Sequence, residues 1–314
     1  VSTVPHPAYL RVSLLSACNL RCSYCIPSGK RRRTIIAPPD KVQSSVRFLH
    51  AAGVRKIRFT GGEPTMYEGL TELISFVKSI DRNVHTAVTS NAVLLGQLAE
   101  PLAGAGLDSL NISLDTLDPV KFRTLTGRDY LPRVLAGIDA AVAHIGRVKL
   151  NTVLMRDFND DEAERLIAFG AERGMPVRFI EFMPNRYSTP GDARYISNEE
   201  ICRRLPWKLE SIPADPGGAA RYYAAAELDI TVGFISPVSR PFCAGCNRVR
   251  LAADGLLYSC LYDSTHINLF KLLECGTETA QDELNRLMES KRYGGTCHKH
   301  SSLARLPSFS AIGG

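Results

Sequence analysis

The stretch Tyr9-Leu10-Arg11-Val12-Ser13-Leu14-Leu15 runs through Ser16-Ala17 into Cys18-Asn19-Leu20-Arg21-Cys22-Ser23-Tyr24-Cys25. Its first seven residues read as a strand, and the three cysteines occupy the loop that follows. Five more stretches of strand character lie at 55–60, 84–90, 108–114, 147–154 and 177–182. Helix-period stretches separate them at about 39–52, 67–80, 93–104, 131–144 and 159–173. Asp40 is read as the cap of the first helix. Asn159-Asp160-Asp161 is read as the opening of the last, where acids oppose the helix dipole favourably. Strands alternating with helices of this length imply an α/β parallel sheet with right-handed crossovers, and six such units make a partial or open barrel.

In α/β barrels the loops after the strands carry the chemistry. Here those loops hold the first cysteines, Gly61-Gly62-Glu63-Pro64, Thr89-Ser90-Asn91, and Ser113 with Asp115. Beyond Phe182 the pattern breaks at Pro184, Pro190, Pro206, Pro213 and Pro216-Gly217-Gly218. Residues 1–183 therefore read as the barrel and 184–314 as a smaller, irregular second domain, with 262–290 helical and no periodicity from Ser308 to Gly314. The active site is expected between the two.

The chain has 314 residues, 45% hydrophobic and 22% charged, enough for a large core and a soluble surface. No apolar run approaches the ~20 residues of a membrane span. Val1 to Leu10 lacks the layout of a signal peptide. These features exclude membrane, fibrous, disordered and small disulfide-framework classes. The net charge of +6 is uneven: residues 1–60 hold eleven Lys/Arg and one acid, Asp40. A basic end fits nucleic acid, a membrane surface or a phosphorylated small molecule, and for Lys30-Arg31-Arg32-Arg33 a solvated surface is the ordinary reading.

Central parallel strands are normally apolar throughout. Here Lys56, Arg58 and Thr60 share one face of their strand while Ile57 and Phe59 share the other. Arg11 with Ser13, Asn111 with Ser113 and Asp115, and Lys149 with Asn151 repeat the alternation. A charge inside a barrel needs a counter-charge, from internal salt bridges or from an anionic ligand. Several basic residues facing one lumen fit the ligand better. Arg178 and Met183 have opposite parity, so both reach one pocket only if the strand ends or bulges between them.

Nine cysteines fall into two groups of three plus Cys202, Cys275 and Cys297, which read as bystanders. Tight triples without a secretory signal argue for metal ligation in a reducing compartment. Cys18, Cys22 and Cys25 have C-x3-C-x2-C spacing, which suits three irons of a [4Fe–4S] cluster and leaves the fourth open to a ligand. Zinc, with its paired C-x2-C knuckles, fits that spacing poorly. Cys243, Cys246 and Cys260 form C-x2-C-x13-C, again one ligand short of a closed site. There His266 could complete a structural zinc site, although Arg248 and Arg250 beside an open corner suit an electron-rich ligand.

The first cysteine loop with Gly61-Gly62-Glu63-Pro64 after the second strand resembles the radical S-adenosylmethionine (SAM) superfamily. That likeness implies SAM bound through its amino and carboxylate groups at the open iron and cleaved to a 5′-deoxyadenosyl radical. It places the Tyr24 backbone at the adenine, Gly62 at the methionyl amine, Ser113 at the ribose or carboxylate, and Met183 against SAM.

With the second group included, nearly the whole chain resembles the MoaA family of GTP 3′,8-cyclases of molybdenum-cofactor biosynthesis. The carrying pieces are residues 9–13, 56–64, 111–115, 149–151, 178–183, the dense run Ser236 to Leu251, and Gly313-Gly314. The resemblance implies a partial (β/α)6 TIM-type barrel whose opening is capped by an iron–sulfur domain. It implies a second [4Fe–4S] cluster on Cys243, Cys246 and Cys260 that binds guanine. Arg11, Lys56, Arg58, Thr89, Lys149, Arg178, Arg248, Val249 and Arg250 would bind GTP, and Arg248, Arg250, Gly313 and Gly314 would assist catalysis. The radical would take the ribose 3′ hydrogen and the carbon would close onto guanine C8. Reduction, helped by the second cluster or an arginine, would finish (8S)-3′,8-cyclo-7,8-dihydroguanosine 5′-triphosphate. A cytoplasmic homodimer, an external electron donor and a downstream cyclic pyranopterin monophosphate synthase follow from the same likeness, with no nucleic acid and no membrane. Leu15-Ser16-Ala17 and Ile26 depart from the usual family residues. Two other readings are a peptide-modifying radical SAM maturase and a zinc-stapled nucleic-acid-binding protein.

Overall fold

The computed structural model describes residues 6–25, 34–183, 193–213 and 218–293. Ile26, Lys30 to Arg33, Pro184, Pro190, Pro216-Gly217, Cys297 and the tail with Gly313 and Gly314 lie outside them.

Six strands alternate with helices as expected: β1 (Tyr9–Ser13), β2 (Lys56–Thr60), β3 (His85–Ser90), β4 (Ser109–Ser113), β5 (Val148–Leu154) and β6 (Val177–Glu181). Between them run α1 (Pro39–Ala51), α2 (Leu70–Ile80), α3 (Leu95–Gly104), α4 (Pro119–Thr126), α5 (Leu131–His144) and α6 (Ala163–Ala171). The later chain adds α7 (Asn198–Arg204), β7 (Leu209–Ile212), β8 (Ala220–Ala225), β9 (Ile230–Ile235), β10 (Arg248–Leu251), β11 (Leu256–Tyr258), β12 (His266–Asn268), α8 (Leu269–Cys275) and α9 (Thr277–Tyr293).

The twelve strands among the described residues form one sheet, in the order β12-β11-β10-β1-β2-β3-β4-β5-β6-β9-β8-β7. The later chain thus extends the barrel sheet at both edges. β10 lies parallel to β1 and β9 parallel to β6, which lengthens the parallel run from six strands to eight. Antiparallel pairs finish each side.

Strand alternation decides what goes inside. Leu10, Val12, Ile57, Phe59, Leu110, Ile112, Leu150, Val177 and Phe179 are fully buried beneath the helices. Each such side chain contributes roughly 1.5–3 kcal/mol of burial. The opposite face is left to the polar set. β6 ends at Glu181, so alternation stops before Met183 and the parity conflict with Arg178 disappears.

Several local boundaries differ from the sequence expectation. Asp40 sits in the first turn of α1 rather than capping it; Pro38 is at the cap with Pro39 behind it, a position where the missing N–H costs nothing. α6 starts at Ala163, not at Asn159. Asn159 is fully buried and cross-links loops instead: its amide donates to the Asp115 and Val153 carbonyls, and its oxygen accepts from Met155 N. α4 was not anticipated; Asp118 caps it by accepting from Val120 N and Lys121 N, and Gly127 ends it at φ 66°. The helical region expected over 262–290 consists of two helices parted at Gly276, and β12 precedes them. No helix among the described residues is long and apolar enough to cross a membrane.

Candidate active site

The basic residues of the inner face fall into register. Arg250 on β10 pairs with Arg11 on β1, and Arg11 with Arg58 on β2. One row further toward the strand starts, Arg248, Tyr9 and Lys56 repeat the arrangement. Arg58 and Arg250 are buried. Burial lowers the Arg11 guanidinium to about 9, with Arg250 adding like-charge repulsion, and lowers Arg250 to about 10, with Arg248 adding to it. Such a row is stable only beside electron-rich partners.

Arg58 is held from three directions: Nε donates to the Tyr9 hydroxyl at 2.7 Å, and Nη1 to the Val88 carbonyl at 2.8 Å and Thr89 Oγ1 at 3.2 Å. Thr89 therefore orients Arg58. Across the sheet, Lys149 Nζ donates to the Tyr222 hydroxyl at 3.3 Å. Arg178 Nε and Nη2 are buried with no hydrogen-bond partner among the described residues. Buried guanidinium nitrogens in that condition are the strongest local sign of a missing anion.

At the other end of the strands, the first cysteine loop is pinned to its neighbours. Gly62 N donates to the Leu15 carbonyl at 2.6 Å and Glu63 N to the Ala17 carbonyl at 2.9 Å. The buried Glu63 carboxylate accepts from Thr65 N and Oγ1, Ser90 Oγ and Asn91 N, tying the ends of β2 and β3 together. Asn91 donates to Asn19 Oδ1 at 2.7 Å and to Cys18 Sγ at 3.6 Å. Tyr24 Oη donates to Asp115 Oδ2 at 2.8 Å, and its ring meets Phe182 edge-on. Burial raises Asp115 to about 6 against the hydrogen bonds from Val153 N and Tyr24 that oppose it.

The three thiols share this half-buried loop. Burial, then the Glu63 charge, pushes Cys18 up to about 12; burial, Asp115 and the other two sulfurs push Cys22 up as well. Thiols that oppose one another's ionisation fit a cationic iron centre, which supplies the charge that holds them as thiolates. Among the described residues, no three His, Cys, Asp or Glu side chains close on one point as a single ion requires. A cluster spreads its thiolates over three irons and needs no such convergence.

The second group assembles at the opposite strand ends. Cys246 directly precedes β10, and Cys260 directly follows the antiparallel β11, so both lie beside the start of β10. Burial raises the Cys246 thiol, but Lys291, Arg248 and Arg250 outweigh it and lower the thiol overall. Cys243 takes part in a disulfide here, where the sequence reading expects a free thiol. His266 is exposed, its Nδ1 facing the Ser264 carbonyl oxygen at 2.7 Å.

Ser113 ends β4 opposite Asn151, Val249 is buried on β10 opposite Leu10, and Met183 follows β6. Tyr9, Tyr222, Lys291 and Gly233 join the site only through the three-dimensional structure. Tyr222 and Lys291 stand in stretches with no motif. Gly233 is legible only in three dimensions: a Cβ there would meet Arg178 Cγ at 2.7 Å and Tyr222 Cε1 at 2.9 Å.

A strand-end cysteine triple, a Gly-Gly-Glu-Pro turn braced against it and a parallel barrel define a radical SAM protein. The chain matches the Radical SAM superfamily over residues 12–170 and Molybdenum Cofactor Synthesis C over residues 175–295. It is 37% identical over 288 residues to a GTP 3′,8-cyclase of Alkaliphilus oremlandii, covering 90% of each chain. It is 40% identical over 273 residues to molybdenum cofactor biosynthesis protein 1 of Drosophila melanogaster, covering 84% of this chain and 48% of that one. The present chain thus spans about half the length of the fly protein. SuiB of Streptococcus suis, solved with S-adenosylmethionine, shares the fold at TM-score 0.66 and 18% identity, covering 97% of this chain and 72% of that one. The chain belongs to the radical SAM superfamily and, within it, to the GTP 3′,8-cyclase family of molybdenum-cofactor biosynthesis. SAM and one [4Fe–4S] cluster are the cofactors that membership brings.

Proposed function

We propose that this chain converts GTP to (8S)-3′,8-cyclo-7,8-dihydroguanosine 5′-triphosphate, with the first cysteine group serving SAM and the second serving guanine. The observation that carries the reading is the in-register row Arg250–Arg11–Arg58 between two cysteine groups at opposite strand ends. A triphosphate is the ligand class such a row binds best, through charge-assisted hydrogen bonds.

Cys18, Cys22 and Cys25 would hold the first cluster, and Cys243, Cys246 and Cys260 a second [4Fe–4S] cluster. Held there and reduced, such a cluster would supply the electron for cleavage of SAM and so for hydrogen abstraction. The protein's part is placement. Gly62, Ser113, Met183 and the Tyr24 backbone would seat SAM. Arg11, Lys56, Arg58, Lys149 and Arg178 would take the triphosphate and ribose, with Thr89 holding Arg58. Arg248, Val249 and Arg250 would line the guanine end, where Arg248, Arg250, Gly313 and Gly314 would assist closure of the new ring. Residues 1–183 would act as the barrel and 184–314 as the part that completes it. A cytoplasmic setting, a homodimer, an external electron donor and a downstream cyclic pyranopterin monophosphate synthase belong to the same proposal.

The test combines anaerobically reconstituted, reduced protein with SAM and GTP. The cyclised triphosphate and 5′-deoxyadenosine are expected together, from protein carrying about eight irons per chain. Formation of 5′-deoxyadenosine with GTP unchanged overturns the reading, as does zinc in place of iron.

A further inference from the structure

Two phenols stand among the barrel cations. Tyr9 is flanked in register by Arg248 and Lys56. Its oxygen accepts from Arg58 Nε at 2.7 Å, Lys56 Nζ lies 5.2 Å from its ring centroid, and the Arg248 guanidinium carbon lies 5.9 Å away. Tyr222, on β8 at the other side of the parallel run, repeats the device. Its oxygen accepts from Lys149 Nζ at 3.3 Å, the same ammonium lies 5.0 Å from its ring, and the Arg178 charge acts on it. Gly233, with no Cβ, leaves the space in which Tyr222 and Arg178 meet. Each tyrosine thus offers a cation both an acceptor oxygen and a ring face.

We propose that Tyr9 and Tyr222 are positioning residues of the nucleotide site, whose phenol oxygens hold Arg58, Lys149 and Arg178 in place until a polyphosphate binds. The inference rests on the nucleotide reading above and extends it to two residues outside the assigned set.

Among the described residues, the charges that act on Tyr9 most strongly are cations: Arg11 on its own strand, Lys56 and Arg58 on β2, Arg248 and Arg250 on β10, and Arg178 on β6. Those on Tyr222 are Arg178 and Lys149. Burial alone would raise the Tyr9 phenol, but Arg58, Arg11 and Lys56 outweigh it and bring it down to about 7. Near neutral pH Tyr9 is therefore partly phenolate. A bound polyphosphate supplies the negative charge instead, so the phenolate takes up a proton. Binding then weakens as pH rises through 7, because deprotonated Tyr9 has to be reprotonated first.

The experiment uses the enzyme with both clusters in place, as Tyr9→Phe, Tyr222→Phe and parent, with inorganic tripolyphosphate as the probe. Calorimetry in buffers of different ionisation enthalpy reads proton uptake directly. The parent is expected to take up a fraction of a proton near pH 7, and Tyr9→Phe to lose that uptake. Either variant should raise the KM for GTP about tenfold while kcat stays within about twofold. Equal tripolyphosphate affinity and equal proton uptake in parent and Tyr9→Phe would overturn the proposal. Should Tyr9→Phe lose its clusters, difluorotyrosine at position 9, with its more acidic phenol, must move the pH midpoint of binding downward; an unmoved midpoint overturns the proposal as well. A parent that binds tripolyphosphate with proton uptake but leaves GTP unchanged supports the tyrosine role and sinks the cyclase reading, so the two failures are separable.

Discussion

Gly62 lies against the carbonyl of Ala17, so closely that a Cβ would stand 1.9 Å from that oxygen. The neighbouring Gly61, at φ +147°, would place a Cβ 2.5 Å from the Leu15 carbonyl oxygen. The two glycines are required by the protein's own backbone, because the cysteine loop is folded onto the turn after β2. Gly62→Ala should drive that loop off its seat. Iron per chain after reconstitution is expected to fall by about half, with loss of SAM cleavage. Full iron content and normal SAM cleavage in Gly62→Ala would contradict this.

The two cysteine groups should separate by function. Cys22→Ser is expected to abolish 5′-deoxyadenosine formation. Cys246→Ser should retain the fold and the first cluster but weaken GTP use. Electron paramagnetic resonance with product analysis checks both, and equal SAM cleavage by Cys22→Ser and the parent is the outcome that refutes the assignment.

Gly233→Ala tests the other side of the site. The added methyl must displace Arg178 or Tyr222. GTP affinity should fall about tenfold or more, while SAM binding, assigned in the proposal to residues at the far strand ends, should stay as in the parent. Isothermal titration with each ligand decides it.

His85 predicts a pH dependence. Burial, then the charges of Lys56 and Arg58, lowers its imidazole from 6.5 to about 4. Between those values the unfolded chain binds a proton that the folded chain refuses. Stability from the neutral imidazole is therefore full above about 6.5 and lost as pH falls toward 4. His85→Gln, which can still hydrogen-bond to Ser109, should flatten that part of the profile. Urea midpoints of the two proteins that fall in parallel from pH 7 to 4 would rule it out.

Glu181 links the barrel to the segment leading into the second cysteine group. Its buried carboxylate accepts from Asn198 N, Val238 N, and Ser239 N and Oγ. Glu181→Gln sets an amide N–H₂ against donors and should cost about 2–3 kcal/mol. A melting temperature within a degree or so of the parent would show the carboxylate to be dispensable.

The six barrel strands were legible because basic and apolar residues alternate at period two, as in Lys56-Ile57-Arg58-Phe59. α4 escaped notice because it is short and rich in weak helix formers, although Asp118-Pro119 ahead of it and Gly127 behind it mark its ends. β10 was read as a chemical motif and not as a strand, since Arg248-Val249-Arg250-Leu251 has only four residues and its partners, β1 and β11, are set by tertiary pairing. The likeness places Gly62 at the methionyl amine; that Gly61 and Gly62 also make room for the chain itself shows only in three dimensions. Tyr222 carried no local signal, because its meaning comes from Lys149 across the fold.

The parallel pairing of β1 with β10 has a consequence for length. One cysteine group follows the end of β1 and the other stands at the start of β10, so the five residues of β1 run between the two ends of the site. At the rise of an extended strand that is about 16 Å. No compact molecule touches both ends at once. On the proposed reading the barrel acts as a gauge for an elongated ligand, with its charges along the wall. A bare nucleobase or a lone phosphate leaves one end unserved.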